Sequence, residues 1–148
     1  MSLRLERASL RIGARHLVRD VTVEVAPARI TALIGPNGAG KSTALRLMAG
    51  LWKPTGGRAS LDGTALPRLS RRLLARRISF VPQDTHVDVP FTVRELVTMG
   101  RHPHLGRFDD PGPSDDAAVA AAMSRADVAH LADRPVTELS GGERRRAV

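Results

Sequence analysis

The sequence predicts an α/β fold, and three observations carry that reading. Strand-like alternation fills residues 3–26. A β-branched apolar run at residues 30–34 leads through a glycine-rich loop into a helix. From residue 92 onward the composition turns helical. The chain therefore reads as a core with an antiparallel β part, spanning 1–83, followed by a helical part at 84–140. A last helix opens at 141–148.

The elements follow in order. Leu3, Leu5, Ala8, Leu10 and Ile12 alternate with polar residues, as on a half-buried strand. A second β-rich stretch, 15–26, centres on Val21-Thr22-Val23-Glu24-Val25. Pro27-Ala28-Arg29 turns the chain into Ile30-Thr31-Ala32-Leu33-Ile34, whose apolarity suits a buried strand of a parallel sheet. Thr43–Ala49 has helical character and Gly50 supplies a stop. Lys53-Pro54-Thr55-Gly56-Gly57 is a turn, Arg58–Leu61 a short strand, and Asp62-Gly63 a hairpin turn. Residues 69–76 form a basic helix, and Ile78-Ser79-Phe80-Val81 is a compact strand ended by Pro82. Thr92-Val93-Arg94-Glu95 spells a capping box that opens a helix running to Met99 and stopping at Gly100. Residues 101–113, with three prolines and two glycines, are loop, and the Ala-rich stretch 114–132 is helical.

The chemistry begins at Gly35-Pro36-Asn37-Gly38-Ala39-Gly40-Lys41-Ser42, which matches the phosphate-binding pattern G-x-x-x-x-G-K-[ST] at every fixed position. Glycines let the backbone curl until successive N–H groups point inward as an anion-binding nest. The helix that follows adds the positive end of its dipole. Lys41 is expected to reach the outer phosphates and the Ser42 hydroxyl to ligate Mg²⁺. Lys41 and Lys53 are the only lysines among 23 basic residues, so lysine at this position stands out in an arginine-rich chain.

Bulk composition removes several classes. The 148 residues suit one domain or a piece of one, and 42% apolar content can build a core. With no cysteine, disulfides and thiolate metal sites are excluded. His102 and His104 lie close together but have no third ligand at a sensible spacing, so no histidine metal site is read. No apolar run approaches the ~18 residues that span a bilayer. The charged, alternating N-terminus is unlike a signal peptide, and a soluble cytoplasmic protein is expected. A net charge of +8 raises nucleic acid as a partner. Arginines are scattered apart from Arg68, Arg71, Arg72, Arg76, Arg77 and Arg144–Arg146, however, and stacking aromatics are nearly absent. No nucleic-acid partner is expected.

Leu139-Ser140-Gly141-Gly142-Glu143 is the second distinctive string. It reads as a helix start in which Ser140 caps, Glu143 closes the capping box and two glycines leave backbone N–H groups uncovered for an anion. With this string downstream of the phosphate loop, the chain resembles the ATP-binding subunits of ABC transporters along essentially its whole length. Gly35–Ser42 is similar to their Walker A loop, Leu139–Glu143 to their signature motif, and Gln83 to their Q-loop glutamine. The resemblance implies a P-loop NTPase core of ABC type with an antiparallel β subdomain and a helical subdomain. It implies that Gly35 to Thr43 hold ATP with Mg²⁺, and that Ser42 and Gln83 contact the metal. Two copies would pair head to tail, so that Leu139 to Glu143 of one copy close over the ATP of the other. Transmembrane permease subunits, and through them a substrate-binding protein, are the implied partners, which places the chain on the cytoplasmic face of the cell membrane. The segments Pro90-Phe91-Thr92-Val93-Arg94-Glu95-Leu96-Val97 and Gly100-Arg101-His102-Pro103-His104 resemble the importers for ferric siderophores, haem and cobalamin.

Three departures from the family stand out. An aromatic residue that stacks on adenine is usual where this chain has Ile12, which can pack on the ring but has no π-face. A glycine usual before the phosphate-loop strand is replaced by Ala28, an expected minor cost. The Walker B aspartate, catalytic glutamate and switch histidine of the family have no counterpart among these residues. Because in-line phosphoryl transfer depends on positioning metal and water, Lys41 and Gln83 alone leave the water without a base. The expectation is a fragment of a longer subunit that hydrolyses ATP negligibly by itself and bares an apolar edge near Ile30–Ile34. Two other readings stand beside the importer: a truncated remnant that binds ATP without hydrolysing it, and an ABC ATPase with no membrane partner.

Overall fold

The computed structural model describes residues 1–83, 89–106 and 108–148. They form two compact units, Met1–Phe80 and Val81–Val148. The expected start of the helical part near residue 84 lies outside the described residues.

The first unit is built on a four-stranded antiparallel sheet in the order β2-β1-β3-β4. Strand β1 is Leu3–Ile12, β2 Arg15–Val25, β3 Gly56–Leu61 and β4 Thr64–Ala65. Leu5, Ala8 and Leu10 face the core, yet Leu5 and Ala8 are three residues apart rather than two. Arg7 at φ 43° and a register shift between Leu5 and Ala8 return the strand to its inward face. A second shift lies between Ala8 and Leu10, and a third between the pairs Leu10↔Val18 and Arg11↔His16, which leaves Leu17 as an extra residue on β2. Asp62 (φ 48°) and Gly63 (φ 80°) close the β3–β4 hairpin, as a tight turn with two positive φ angles requires. Helix α1, Lys41–Met48, packs Ala44, Leu47 and Met48 into the cluster formed by Leu5, Leu10, Val18, Ala59 and Leu61. It ends before Gly50, whose φ of 71° supplies the expected stop. Helix α2, Arg71–Arg77, is capped by Ser70 and buries no side chain completely.

The second unit is helical: α3 Val93–Met99, α4 Pro113–Arg125 and α5 Gly141–Ala147. Val93, Val119, Met123, Val128, Leu131, Val136, Leu139 and Ala147 make its core. The Thr92–Glu95 box forms as expected. Glu95 accepts from the Thr92 N–H at 2.7 Å, and the Thr92 hydroxyl accepts from the Glu95 N–H at 3.2 Å. Arg101 donates to Asp115 at 2.8 Å, and the same carboxylate accepts from the Gly112 N–H at 3.1 Å, which ties the segment after α3 to the start of α4.

Several expectations need correction. Ile30–Ile34 is not a buried strand: it has no sheet partner among the described residues, and Ile30 and Ile34 are 101% and 92% exposed. Its apolarity suits burial, but burial requires strands on either side. Ile78–Val81 likewise forms no strand, with Ile78 half-buried against the first core and Val81 exposed. The helix expected to reach residue 132 ends at Arg125 because Asp127 adopts φ 54°. The turn sends Val128 and Leu131 into the core through a short 3₁₀ segment, Ala129–Leu131. The loop at 101–113 contains a 3₁₀ turn at His102–His104. Ala28 sits at φ 55°, a left-handed conformation that costs a Cβ-bearing residue about 1–2 kcal/mol, more than the minor cost expected.

Candidate functional site

The phosphate-binding pattern folds as a loop against the start of α1. Gly35, Gly38 and Gly40 all have positive φ, at 151°, 83° and 88°. Gly40 is the N-cap of α1, so no side chain caps that helix. The first rung of its ladder is the Ala44 N–H donating to the Gly40 carbonyl at 2.8 Å. The N–H groups of Lys41, Ser42 and Thr43 therefore stay open at the positive end of the helix dipole. The Lys41 ammonium donates to the Gly35 and Pro36 carbonyls, each at 2.8 Å, and so sits across the mouth of the loop. Pro36, Asn37, Gly38, Ala39 and Ser42 are exposed, while Gly40, Lys41 and Thr43 are half-buried. Open N–H donors, an ammonium and a helix N-terminus form a donor set suited to a polyanion, and the Ser42 hydroxyl is exposed beside them.

The two later glycines of the loop are required for different reasons. A Cβ on Gly38 would meet nothing within 4 Å, so conformation alone asks for glycine there. A Cβ on Gly40 would lie 2.6 Å from both the Leu17 carbonyl oxygen and Val18 Cγ1. The irregular stretch of β2 thus presses on the base of the loop and fixes where it sits. That contact was not legible in the sequence, because it depends on the register shift at Leu17. Ile12 ends β1 in the same unit, 61% exposed and paired with Arg15 across the hairpin.

The second unit carries Gln83 and the string from Leu139 to Glu143. Gln83 is exposed and has no hydrogen bond among the described residues. Leu139 is buried in the helical core and anchors the start of α5. The Ser140 hydroxyl accepts from the Glu143 N–H at 3.3 Å, and Glu143 accepts from the Ser140 N–H at 2.8 Å. Hydrogen bonding to the Ser140 side chain first, and then to its backbone, holds the Glu143 carboxyl below the ordinary glutamate range. Gly141 and Gly142 have ordinary helical φ and are exposed, and a Cβ on either would meet nothing within 4 Å. Glycine is a poor helix former, costing about 1 kcal/mol relative to alanine in a helix interior. Neither steric crowding nor backbone conformation asks for it at these two positions. What glycine does give is a bare backbone that another molecule can approach closely.

The sequence profile of the ABC transporter family matches residues 18–148. The chain is 43% identical over 148 residues to the cobalamin import ATP-binding protein BtuD of Halobacterium salinarum, covering all of this chain and 37% of BtuD. It is 41% identical over 145 residues to the ferric enterobactin transport ATP-binding protein FepC of Escherichia coli K12, covering 98% of this chain and 54% of FepC. Among solved structures it superposes on cbiO1 from Clostridium perfringens, part of the ABC transporter complex cbiONQ. The TM-score is 0.80 at 27% identity, over 98% of this chain and 58% of that one. The chain thus spans 37% and 54% of the lengths of these two curated relatives. Since the match takes in both the loop before α1 and the glycine-bared start of α5, the chain belongs to the ABC transporter family.

Proposed function

We propose that this chain is the ATP-holding part of an importer's ATP-binding subunit, serving uptake of a metal chelate such as a ferric siderophore, haem or cobalamin. The uncapped start of α1, with Gly40 at φ 88° beneath it and the Lys41 ammonium across the loop mouth, is the observation that carries this reading. Gly35 to Thr43 would hold the phosphates, and Ser42 and Gln83 would take the Mg²⁺. When bound, the metal ion would supply charge neutralisation for the phosphates. Lys41 would exchange its two carbonyl partners for phosphate oxygens. Ile12 would pack on the adenine. Leu139 to Glu143 would close over the nucleotide of a second copy in a head-to-tail dimer, with Ser140 and the bare N–H groups of Gly141 and Gly142 facing it. The relatives named for cobalamin import and ferric enterobactin transport support the chelate class. Among the described residues no helix is long and apolar enough to cross a membrane. Transmembrane permease subunits at the inner membrane face would supply the solute path.

The residues proposed to hold phosphate, Gly35 to Thr43, include no carboxylate to activate water, so the 148-residue chain by itself should bind Mg-ATP and turn it over negligibly. Equilibrium titration with a fluorescent ATP analogue, set beside a phosphate-release assay, tests both parts. Lys41→Ala should weaken binding by at least about tenfold, the loss of one charge-assisted contact. Unchanged affinity would overturn the site, and Mg²⁺-dependent turnover abolished by Lys41→Ala would overturn the expected inactivity.

A further inference from the structure

Asn37 is the only asparagine of the chain, and a glycine follows it. The two residues are the centre of a turn inside the phosphate loop, closed by the Ala39 N–H on the Pro36 carbonyl at 3.3 Å. Gly38 has φ 83° and Asn37 does not have a positive φ, the type II arrangement. Such a turn bonds its first carbonyl to its last N–H and leaves the amide between its central residues outside the closing bond. Accordingly, among the described residues the Gly38 N–H donates to no acceptor, and the Asn37 side chain has no hydrogen-bond partner. Both residues are exposed, and a Cβ at Gly38 would meet nothing within 4 Å, so the space beside its nitrogen is open. The other pair of this kind, Asp62-Gly63, is tied down. Its carboxylate accepts from the Ser2 N–H at 2.7 Å and from Arg77 at 2.8 Å.

An asparagine amide followed by an unengaged backbone nitrogen is a reactive pair. The Gly38 nitrogen attacks Cγ of Asn37 and closes a succinimide ring. The bond from the Gly38 nitrogen to Cγ forms, the Cγ–Nδ2 bond breaks, and ammonia leaves with the proton that the Gly38 nitrogen gives up. Water then opens the ring at either carbonyl and leaves an aspartyl or an isoaspartyl residue. Glycine favours the closure because it has no Cβ to hinder it and tolerates the backbone change. The nitrogen attacks once deprotonated. The Lys41 ammonium, held on the Gly35 and Pro36 carbonyls, adds positive potential that favours loss of that proton.

We propose that Asn37-Gly38 is a deamidation site that disables the phosphate loop in the unliganded chain and that a bound polyphosphate shields. This rests on the phosphate reading of the loop above. The product places a carboxylate in a nest whose other groups are N–H donors and an ammonium, and like charge opposes the anion. The isoaspartyl product also lengthens the backbone between Pro36 and Gly38. A phosphate seated in the nest accepts from the loop N–H groups and holds the turn, which takes the Gly38 nitrogen out of reach of Cγ.

The test is incubation of the purified protein over days in warm, mildly alkaline buffer, alone, with Mg-ATP and with inorganic tripolyphosphate, followed by peptide mass spectrometry. In the unliganded sample the peptide that holds Asn37 should gain about 1 Da, the exchange of an amide NH₂ for OH. Gln83, the one other side-chain amide, falls in a different tryptic peptide, and isomerisation at Asp62 changes no mass. Asn37→Gln, whose longer side chain closes the ring far more slowly, should show no gain. Ligand at about ten times its Kd should slow the gain roughly tenfold, since only free protein reacts. Aged protein and Asn37→Asp, both shown to be folded by circular dichroism, should bind tripolyphosphate at least about tenfold more weakly than fresh wild type. An unliganded sample that keeps Asn37 intact would overturn the proposal, as would an Asn37→Asp variant that binds like the wild type. A gain equally fast with and without bound ligand would overturn the shielding. If fresh wild type binds neither ATP nor tripolyphosphate, the phosphate reading falls and the switch with it, an outcome distinct from a binding protein whose Asn37 stays intact.

Discussion

Replacing Gly141 and Gly142 together by alanine separates fold from function at the start of α5. Both residues lie in the first turn with ordinary helical φ, and an added Cβ at either meets nothing within 4 Å. Each change removes glycine's conformational penalty, worth about 0.5–1 kcal/mol. The two sites touch no common partner, so the double variant should gain about 1–2 kcal/mol. For a chain of this size that is a rise in Tm of roughly 3–6 °C. If these glycines serve to let a nucleotide approach the bare N–H groups, the two new methyls should at the same time abolish Mg-ATP-dependent pairing of the chains. Thermal unfolding followed by circular dichroism measures the first effect, and sedimentation with and without Mg-ATP measures the second. A fall in Tm would refute the claim that the fold does not need these glycines. A rise in Tm with undiminished ATP-dependent pairing would refute the claim that they face a ligand.

Gly40→Ala should act in the opposite sense. A φ of 88° and a Cβ 2.6 Å from the Leu17 carbonyl together predict a loss above about 2 kcal/mol, and a melting curve like that of the wild type would contradict the packing described. Ala28→Gly should stabilise by about 0.5–1 kcal/mol, the relief of a left-handed alanine less the extra freedom of an unfolded glycine, and a lowered denaturant midpoint would count against it. Thr92→Ala should cost about 1 kcal/mol through loss of the cap on α3, read from urea unfolding, and no change would sink that role. Backbone and then side-chain hydrogen bonds from Thr92 hold Glu95 below its ordinary value of 4.5. Its stabilisation is therefore complete above that value and disappears as pH falls through the folded-state pKa. Glu95→Gln should be less stable than the wild type at neutral pH, with a gap that narrows as pH falls below the ordinary glutamate value, and a gap independent of pH would refute the assignment.

The features legible in the sequence are those whose cause is local. Thr92 with Glu95, Ser140 with Glu143, and Asp62 with Gly63 each form within a few residues of chain, and each is found as expected. Ile30–Ile34 departs from the expected strand because its apolarity states a preference for burial, whereas burial is granted by strands elsewhere in a sheet. The end of α4 is not legible locally because alanines on both sides of Asp127 favour helix, and only the burial of Val128 and Leu131 makes a left-handed residue there worth its cost. The site divides along the same line. The pattern Gly35 to Ser42 announces a phosphate loop, but it treats its glycines as equivalent, and they are not. Gly40 is required by β2, through a bulge whose position no local rule gives, so its presence follows from packing whether or not a ligand binds. Gly38 is required by backbone conformation alone. Gly141 and Gly142 are required by neither. Arguments for a ligand therefore gain least from Gly40 and most from the two glycines of α5, where the fold offers no competing reason. For that reason the double alanine variant is a sharper test of function than any substitution in the phosphate loop, where lost binding and lost packing would arrive together.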